Sequence, residues 1–345
     1  MLGGGVFVTQ NKILPGSYIN FVSAATVNSA VGERGTVAIA LRLGSKAGKV
    51  IELNKLDFVA NSETLLGVPY SDNGVAPLRE IFCHATKVYV YDMGESGTVA
   101  NAIAAFEPYE FNILCAYTDV GDDISAYITA VKGWRDNMGK KCQLVVYNTN
   151  NVDHEGVINV VSTVSDDSAP NYALVAWVAG AEAGCKVNES CTNKLYNGEY
   201  TVVTDKTQSQ LEACINNGQI AFHLVYGDIR MLEDVNTLVT TSEDKGEDFK
   251  SNQTIRVIDQ IANDIAKLFN TKYLGKIPNN ASGRVSLWAD IVSHHKELEA
   301  LQAIESFDSS ILTVEQGNNK KSVVVNDAVT VINSMTQLYM TIVVQ

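Results

Sequence analysis

The sequence is poor in what a catalytic or nucleic-acid-binding chain usually carries. Only five histidines, six prolines and three tryptophans are spread over 345 residues. There is no Walker or dinucleotide glycine loop, no G-x-S-x-G elbow and no H-E-x-x-H. Positive charge is short as well: 26 Lys and Arg against 39 Asp and Glu leave a net charge of −13. Residues 226–345 hold 11 of those basic groups and 16 of the acidic ones, so neither part offers a net basic surface. Duplex nucleic acid, which is bound by cations that neutralise phosphates, is disfavoured as a partner. Long apolar runs are missing too. The longest, Tyr172 to Ala181, stops at Glu182, well short of the ~20 residues that cross a bilayer. No charged start with an apolar run and a small-residue cleavage site marks a signal peptide. The six cysteines (Cys83, Cys115, Cys142, Cys185, Cys191, Cys214) match no zinc spacing and read as buried free thiols; Cys185 and Cys191 could pair. The expectation is a chain made in the cytosol.

What is present is the composition of a globular protein, 46% hydrophobic and 19% charged, in a chain too long for one ordinary core. Residues 26–86 read as a small β-rich module with strands at Thr36–Leu41 and Lys49–Leu53. From Lys87 to about residue 225 strands and helices alternate regularly. Strands Lys87–Tyr91, Phe111–Tyr117, Gln143–Tyr147, Val157–Ser162, Tyr200–Thr204 and Ile220–Tyr226 are separated by amphipathic stretches such as Ile124, Tyr127, Ile128, Val131, Trp134 and Met138. This spacing predicts an α/β domain with a parallel sheet and right-handed crossovers. Residues 226–345 change character. An acidic loop, Glu243–Asp248, leads into a helix from about Asn252 to Tyr273. A second helix spans about Ala281 to Ile304, and strand-like runs follow at Thr313–Glu315, Ser322–Val325 and Gln337–Val344.

Ligands of an α/β sheet bind beyond the carboxyl ends of its strands. The loops there, Asp92–Gly97, Thr118–Asp123 and Asn148–His154, carry no Lys or Arg, so they do not suit phosphate. A divalent-metal enzyme using Asp92, Asp119 and Asp153 is the one catalytic alternative. Loop carboxylates far more often cap helices and face solvent. His294 and His295 lie mid-helix with no third metal ligand indicated and read as half-exposed, whereas His223, in an apolar strand, reads as a core histidine. The sequence therefore predicts no enzyme, no cofactor and no metal site.

The unusual feature is strand-forming sequence near both ends. Val6, Phe7, Val8, Tyr18 and Ile19 belong to β-like runs, and Leu338, Tyr339, Met340, Thr341, Ile342 and Val343 lie in the last one. Free strands of this kind must be paired, either within the subunit or with a neighbour. The segments Pro15–Asn20, Gly32–Gly35, Asp234–Leu238, Phe249–Asp264, Lys276–Asn280 and Gln337–Met340 together resemble the tail sheath protein of contractile phage tails and phage-tail-like bacteriocins. The resemblance covers the first 35 residues and about 226–345, and is weak between them.

It implies a multidomain α/β and α+β chain. Residues 1–25 would be an N-terminal arm and strand of an assembly domain whose main part is 226–345. That domain would place two long helices on a mixed sheet completed by exchanged terminal strands, with 26–86 as the small β-rich module and 87–225 as an inserted α/β domain. By resemblance, subunits form stacked hexameric rings around an inner tube and contract to drive it through a cell envelope. The implied partners are further copies of the chain, the tube protein, and baseplate and terminator proteins, with no nucleic acid and no membrane insertion. The implied location is a virion tail or bacteriocin-like particle assembled in the bacterial cytoplasm. A tube or baseplate subunit is the structural alternative. Lys250, Arg256, Lys267, His294 and Lys296 are the candidate polar contacts to the tube.

Overall fold

Thr36–Leu41 (β1) has the sequence Thr-Val-Ala-Ile-Ala-Leu, apolar at successive positions, and is buried on both faces after its first residue. Such a run is satisfied only between two neighbouring strands and two covering layers. In the computed structural model, which describes residues 31–344, β1 lies parallel to Lys87–Asp92 (β3) on one side and Ile113–Cys115 (β4) on the other. Val50–Asn54 (β2) closes one edge antiparallel to β3. Gln143–Tyr147 (β5), Val157–Val160 (β6) and Gln219–Ile220 (β7) continue the sheet in parallel beyond β4. The order is β2-β3-β1-β4-β5-β6-β7. The segment 26–86, read from the sequence as a module apart, thus supplies a central strand and an edge strand of the α/β sheet. Its strands are short of partners locally, and the hydrogen bonds they need lie beyond residue 86.

Alternation along the strands divides the core in two. Val37, Ile39 and Val90 face Lys55–Leu66 (α1), Ala76–Ile81 (α2) and Leu174–Gly184 (α5). Ala38, Ala40, Tyr89 and Tyr91 face Val99–Phe106 (α3) and Gly121–Gly133 (α4). Helix α5 is buried from Leu174 to Ala183 and apolar there at every position but Glu182, as suits a helix enclosed on every side. It crosses α2 so closely that a Cβ on Gly180 would meet the Ile81 carbonyl oxygen at 2.3 Å. Helix α4 continues as a π-turn, Trp134–Met138, that ends at Gly139 with φ 75°. Gln208–Asn216 (α6) leads into β7.

Beyond the sheet, Phe222–Val225 (β8) and Asp228–Met231 (β9) form an antiparallel hairpin. The expected strand Ile220–Tyr226 is therefore split: its start belongs to the large sheet and the rest to this hairpin. His223, expected in the core, is half-buried there. Tyr200–Thr204 contributes only a bridge from Val202 to Val164. Asn252–Leu268 (α7) runs into a π-turn at Phe269–Tyr273, and Ala281–Ala300 (α8) follows. Together with the hairpin Thr313–Gln316 (β10) and Val323–Asn326 (β11), they enclose a third apolar cluster around Val257, Leu268, Leu287, Ile291, Leu298 and Phe307. Gln337–Val344, expected as a strand, pairs with nothing among the described residues. Val6, Phe7, Val8, Tyr18 and Ile19 lie outside the described residues.

The α2–α5 contact gives a direct test. Gly180→Ala forces the two helices apart and should destabilise the chain by about 1–3 kcal/mol. A lower urea midpoint with an unchanged slope would show it.

Candidate assembly surface and the helix that carries it

Helix α7 joins the parts of the chain, and it does so with polar side chains. Asn252, Gln253, Thr254, Arg256, Asp259 and Gln260 are all buried, which demands a partner for each polar group. Arg256 Nη2 lies 2.6 Å from Glu182 on α5 and 3.2 Å from Asp234, and Nη1 donates to the Glu189 carbonyl at 2.7 Å. Burial pushes the Glu182 carboxyl well above its ordinary range, and neighbouring Asp234 pushes the same way. Burial also raises Asp234, but Arg256, Glu182 and the Cys191 amide outweigh it and hold Asp234 low. Both acids thus face one guanidinium, and the proton that burial favours on this cluster belongs to the pair of acids together.

One turn further on, Asp259 receives both arms of Arg135 from the end of α4, at 2.6 and 2.9 Å. Asn252 accepts from Gln143 at the start of β5 (2.9 Å), and Asn263 donates to the Lys141 carbonyl (2.8 Å). Gln253 brackets the far end of the chain. Its Nε2 donates to the Ile332 carbonyl at 3.2 Å and its Oε1 accepts from the Ser334 amide at 2.9 Å. Thr254 reaches Asn333 (3.2 Å), while the Glu305 amide donates to the Thr330 carbonyl and the Ile332 amide to the Ala303 carbonyl. Residues 330–334 are therefore pinned to α7 and to the turn after α8.

Past that pin the chain is bare. Leu338, Tyr339, Met340, Ile342 and Val343 are between 71 and 87% exposed, and Met335 and Val344 more so; Thr341 is exposed as well. Water is a poor solvent for a β-branched and aromatic run of this length.

Two residues expected to meet a tube do not reach the surface. Arg256 is 1% exposed and serves the interior cluster, and His294 is equally buried. The adjacent His295, also read as half-exposed, is fully buried. Lys250 pairs with Glu247 and Lys296 with Glu299 on the outside, and Lys267 is exposed. The buried ion pairs leave no local mark in the sequence, because Glu182, Asp234 and Arg256 lie far apart along the chain. The α7 stretch did carry a hint in its dense run of amide and hydroxyl residues at the helix start.

Metal chemistry finds little purchase. Asp92 is buried, and its carboxylate accepts four backbone amides, from Leu43, Gly44, Lys46 and Gly94, at 2.8–3.0 Å. Burial would raise its pKa, and those amides outweigh it and hold it low. Asp153 accepts the Val239 and Thr240 amides, which leaves exposed Asp119 without its two supposed partners. Glu182, Cys191 and Asp234 converge, but on the Arg256 cation. Asp136, His154 and Glu155 also converge. There the Gly156 amide donates to His154 Nδ1 at 2.9 Å, so a neutral ring carries its proton on Nε2 and offers no lone pair. Glu155 is already held by Lys245 at 2.8 Å.

Comparison with known proteins fits this arrangement. Residues 95–237 match the phage tail sheath protein central domain and residues 244–345 the phage tail sheath C-terminal domain, between them more than two thirds of the chain. The chain belongs to the phage tail sheath family. The tail sheath protein of Clostridium phage phiCD119 is 27% identical over 293 residues, 84% of this chain and 81% of the phage protein. A Bacillus subtilis phage-like element PBSX protein is 28% identical over 251 residues, 69% of this chain and 53% of that one; the chain spans about half the length of this relative and of a second from the same organism.

Among solved structures, the sheath tail protein of Desulfitobacterium hafniense superposes with a TM-score of 0.77 at 24% identity, over 94% of this chain and 99% of that one. Chains of the anti-feeding prophage match in its six-fold symmetrised baseplate and in its contracted helical sheath. Their TM-scores are 0.72 and 0.69, both at 17% identity, covering 97 and 96% of this chain and 99% of theirs. At such identities these likenesses show a shared fold. The mixed α/β architecture is that of sheath proteins.

The buried charges make two measurable statements. Arg256→Ala strands Asp234 without its cation and should cost about 3–5 kcal/mol, whereas Lys267→Ala should stay within about 0.5 kcal/mol; chemical denaturation of both variants compares them. Burial raises Glu155, but His154, Lys245 and Arg135 outweigh it and hold its pKa at about 2 against an ordinary 4.5. A carboxylate with a depressed pKa contributes stability that is complete above 4.5 and is lost as pH falls towards 2. Glu155→Gln should therefore weaken the pH dependence of unfolding across that window, as read from thermal midpoints.

Proposed function

We propose that this chain is the structural subunit of a contractile tail sheath. It polymerises as stacked hexameric rings around an inner tube and contracts to drive the tube through a target cell envelope. The observation that carries the reading is the apolar segment beyond the pin at residues 330–334, exposed along its whole described length. In an isolated subunit such a segment is a liability. In an array it is a strand offered to a neighbour's sheet, with backbone hydrogen bonds giving affinity and alternate side chains giving register. Family membership supports the subunit role. The six-fold baseplate and contracted sheath of the anti-feeding prophage, whose chains share this fold, support ring geometry and contraction.

On this reading the N-terminal residues Val6, Phe7, Val8, Tyr18 and Ile19 supply the second exchanged strand. The partners are the tube protein and the baseplate and terminator proteins, in a virion tail or bacteriocin-like particle assembled in the host cytoplasm. Lys250, Lys267 and Lys296 remain the tube-facing candidates. Contraction requires no nucleotide if the extended array is metastable and the contracted one has more contact between subunits. Connected arms would let rigid subunits rotate without losing their neighbours.

Deleting 337–345, or converting Leu338 and Ile342 to Asp, should leave a folded monomer that builds no sheath. Deleting residues 1–12 should do the same at the other end. Circular dichroism together with negative-stain electron microscopy reads both properties. Normal tubes from either truncated chain would exclude strand exchange at that end. Lys296→Glu should reduce co-assembly with the tube, and unchanged co-assembly would remove that lysine from the contact.

A further inference from the structure

His294 and His295, side by side in α8, sit in the middle of a hydrogen-bonded line that runs between the two ends of the described chain. At one end the Gly32 amide donates to Asp264 Oδ2 on α7 at 3.0 Å, and the same oxygen lies 2.9 Å from His294 Nε2. The two Nδ1 atoms face each other at 3.4 Å. At the other end His295 Nε2 lies 2.7 Å from Asp327 Oδ2, directly after β11 and upstream of the pin at 330–334. The imidazoles are 1 and 0% exposed, and the Phe307 ring packs on His295 at 4.7 Å between centroids.

Counting protons decides how this line is held. Asp264 accepts from the Gly32 amide and from Gln260 Nε2, so it meets His294 as an acceptor and His294 Nε2 must be the donor. Asp327, as a carboxylate, likewise takes the Nε2 proton of His295. A neutral imidazole has one N–H. Two neutral rings would therefore spend both protons on the carboxylates and leave two bare lone pairs facing each other. One further proton between the Nδ1 atoms completes three hydrogen bonds with three protons. A fourth would set N–H against N–H. Only the state with one extra proton satisfies every atom.

The charges nearby favour that state. Asp264 faces the pair from α7 and Asp327 from the segment after β11, and Glu297 on α8 accepts the Val31 amide at 3.0 Å. The cations on the neighbouring elements are engaged elsewhere: Lys296 with Glu299, and Arg34 with Gln260 Oε1 at 3.3 Å. The line also leaves no slack at its first link, since a Cβ on Gly32 would meet Asp264 Oδ1 at 2.5 Å.

We propose that His294 and His295 share a single proton and form a latch that couples the position of Val31–Gly32 to the root of the C-terminal arm. Displacing one end changes the proton's position and so the hold on the other. The latch belongs to the single subunit and does not rest on the assembly reading.

The test uses the full chain with ¹⁵N-labelled histidine, of which there are five, with His294→Gln and His295→Gln to assign the signals. The expected result is both Nε2 atoms protonated and one proton divided between the two Nδ1 atoms. Rings that each hold a single proton in the folded chain would overturn the proposal. The second measurement is amide hydrogen exchange. Asp264→Asn should speed exchange of Ile332 and Ser334, which it does not touch, by at least about threefold, and Asp327→Asn should do the same at Gly32. Effects confined to each variant's own side would equally overturn it. If Asp264→Asn fails to fold, Gly32→Ala perturbs the same end, and its effect at Ile332 and Ser334 decides.

Discussion

The guanidinium of Arg256 is the contact on which the remainder of the molecule leans. It sits without solvent between an acid from the sheet domain's most enclosed helix and an acid from the segment that leads out of that domain. Buried charge is expensive unless it is matched, and a matched cluster that loses one member is worse than no cluster at all. Helix α7 therefore has one acceptable position against the α/β body. Arg135 and Asp259 repeat the constraint a turn later. What apolar packing alone would leave free to slide is fixed in register by directional contacts.

This arrangement explains why the C-terminal region can act as a platform. Helix α7 is a bracket with three loads: the sheet domain through Arg256, Asp259 and Asn252, the residues at 31–34 through Gln260 and Asp264, and the chain's exit through Gln253 and Thr254. All three loads fall on the one helix, between Asn252 and Asp264. A force on either end of the chain is thus delivered to one rigid element. It does not dissipate through loops.

Much of the architecture was legible in the sequence, because the period of its apolar residues is a local property. Gln143–Tyr147 emerges with the bounds read from the sequence. The stripe from Ile124 to Met138 is a helix closed by Gly139, with its last turn widened to a π-turn. What the sequence hid is non-local. Strand β1 declares itself a strand but cannot declare its neighbours, so its place at the centre of the α/β sheet was missed. Arg256 and His294 look like surface residues when read singly, since a long polar side chain on a helix usually faces water. Their burial follows from partners 74 and 30 residues away in the chain. The terminal run from Leu338 to Val343 was the most informative stretch in the other direction. Its apolar character has no outlet among the described residues, and the proposed function rests on that.

On the proposed reading, the pin at Gln253 makes the residues beyond it a tether. From Met335 to Val344 an extended chain reaches about 35 Å, less than the width of a subunit of this size. If the strand is exchanged as proposed, the part of the sheet that accepts residues 335–344 lies against the subunit that offers them. Linked members of such an array could shear and twist past one another while these residues bound the separation of the two surfaces they join.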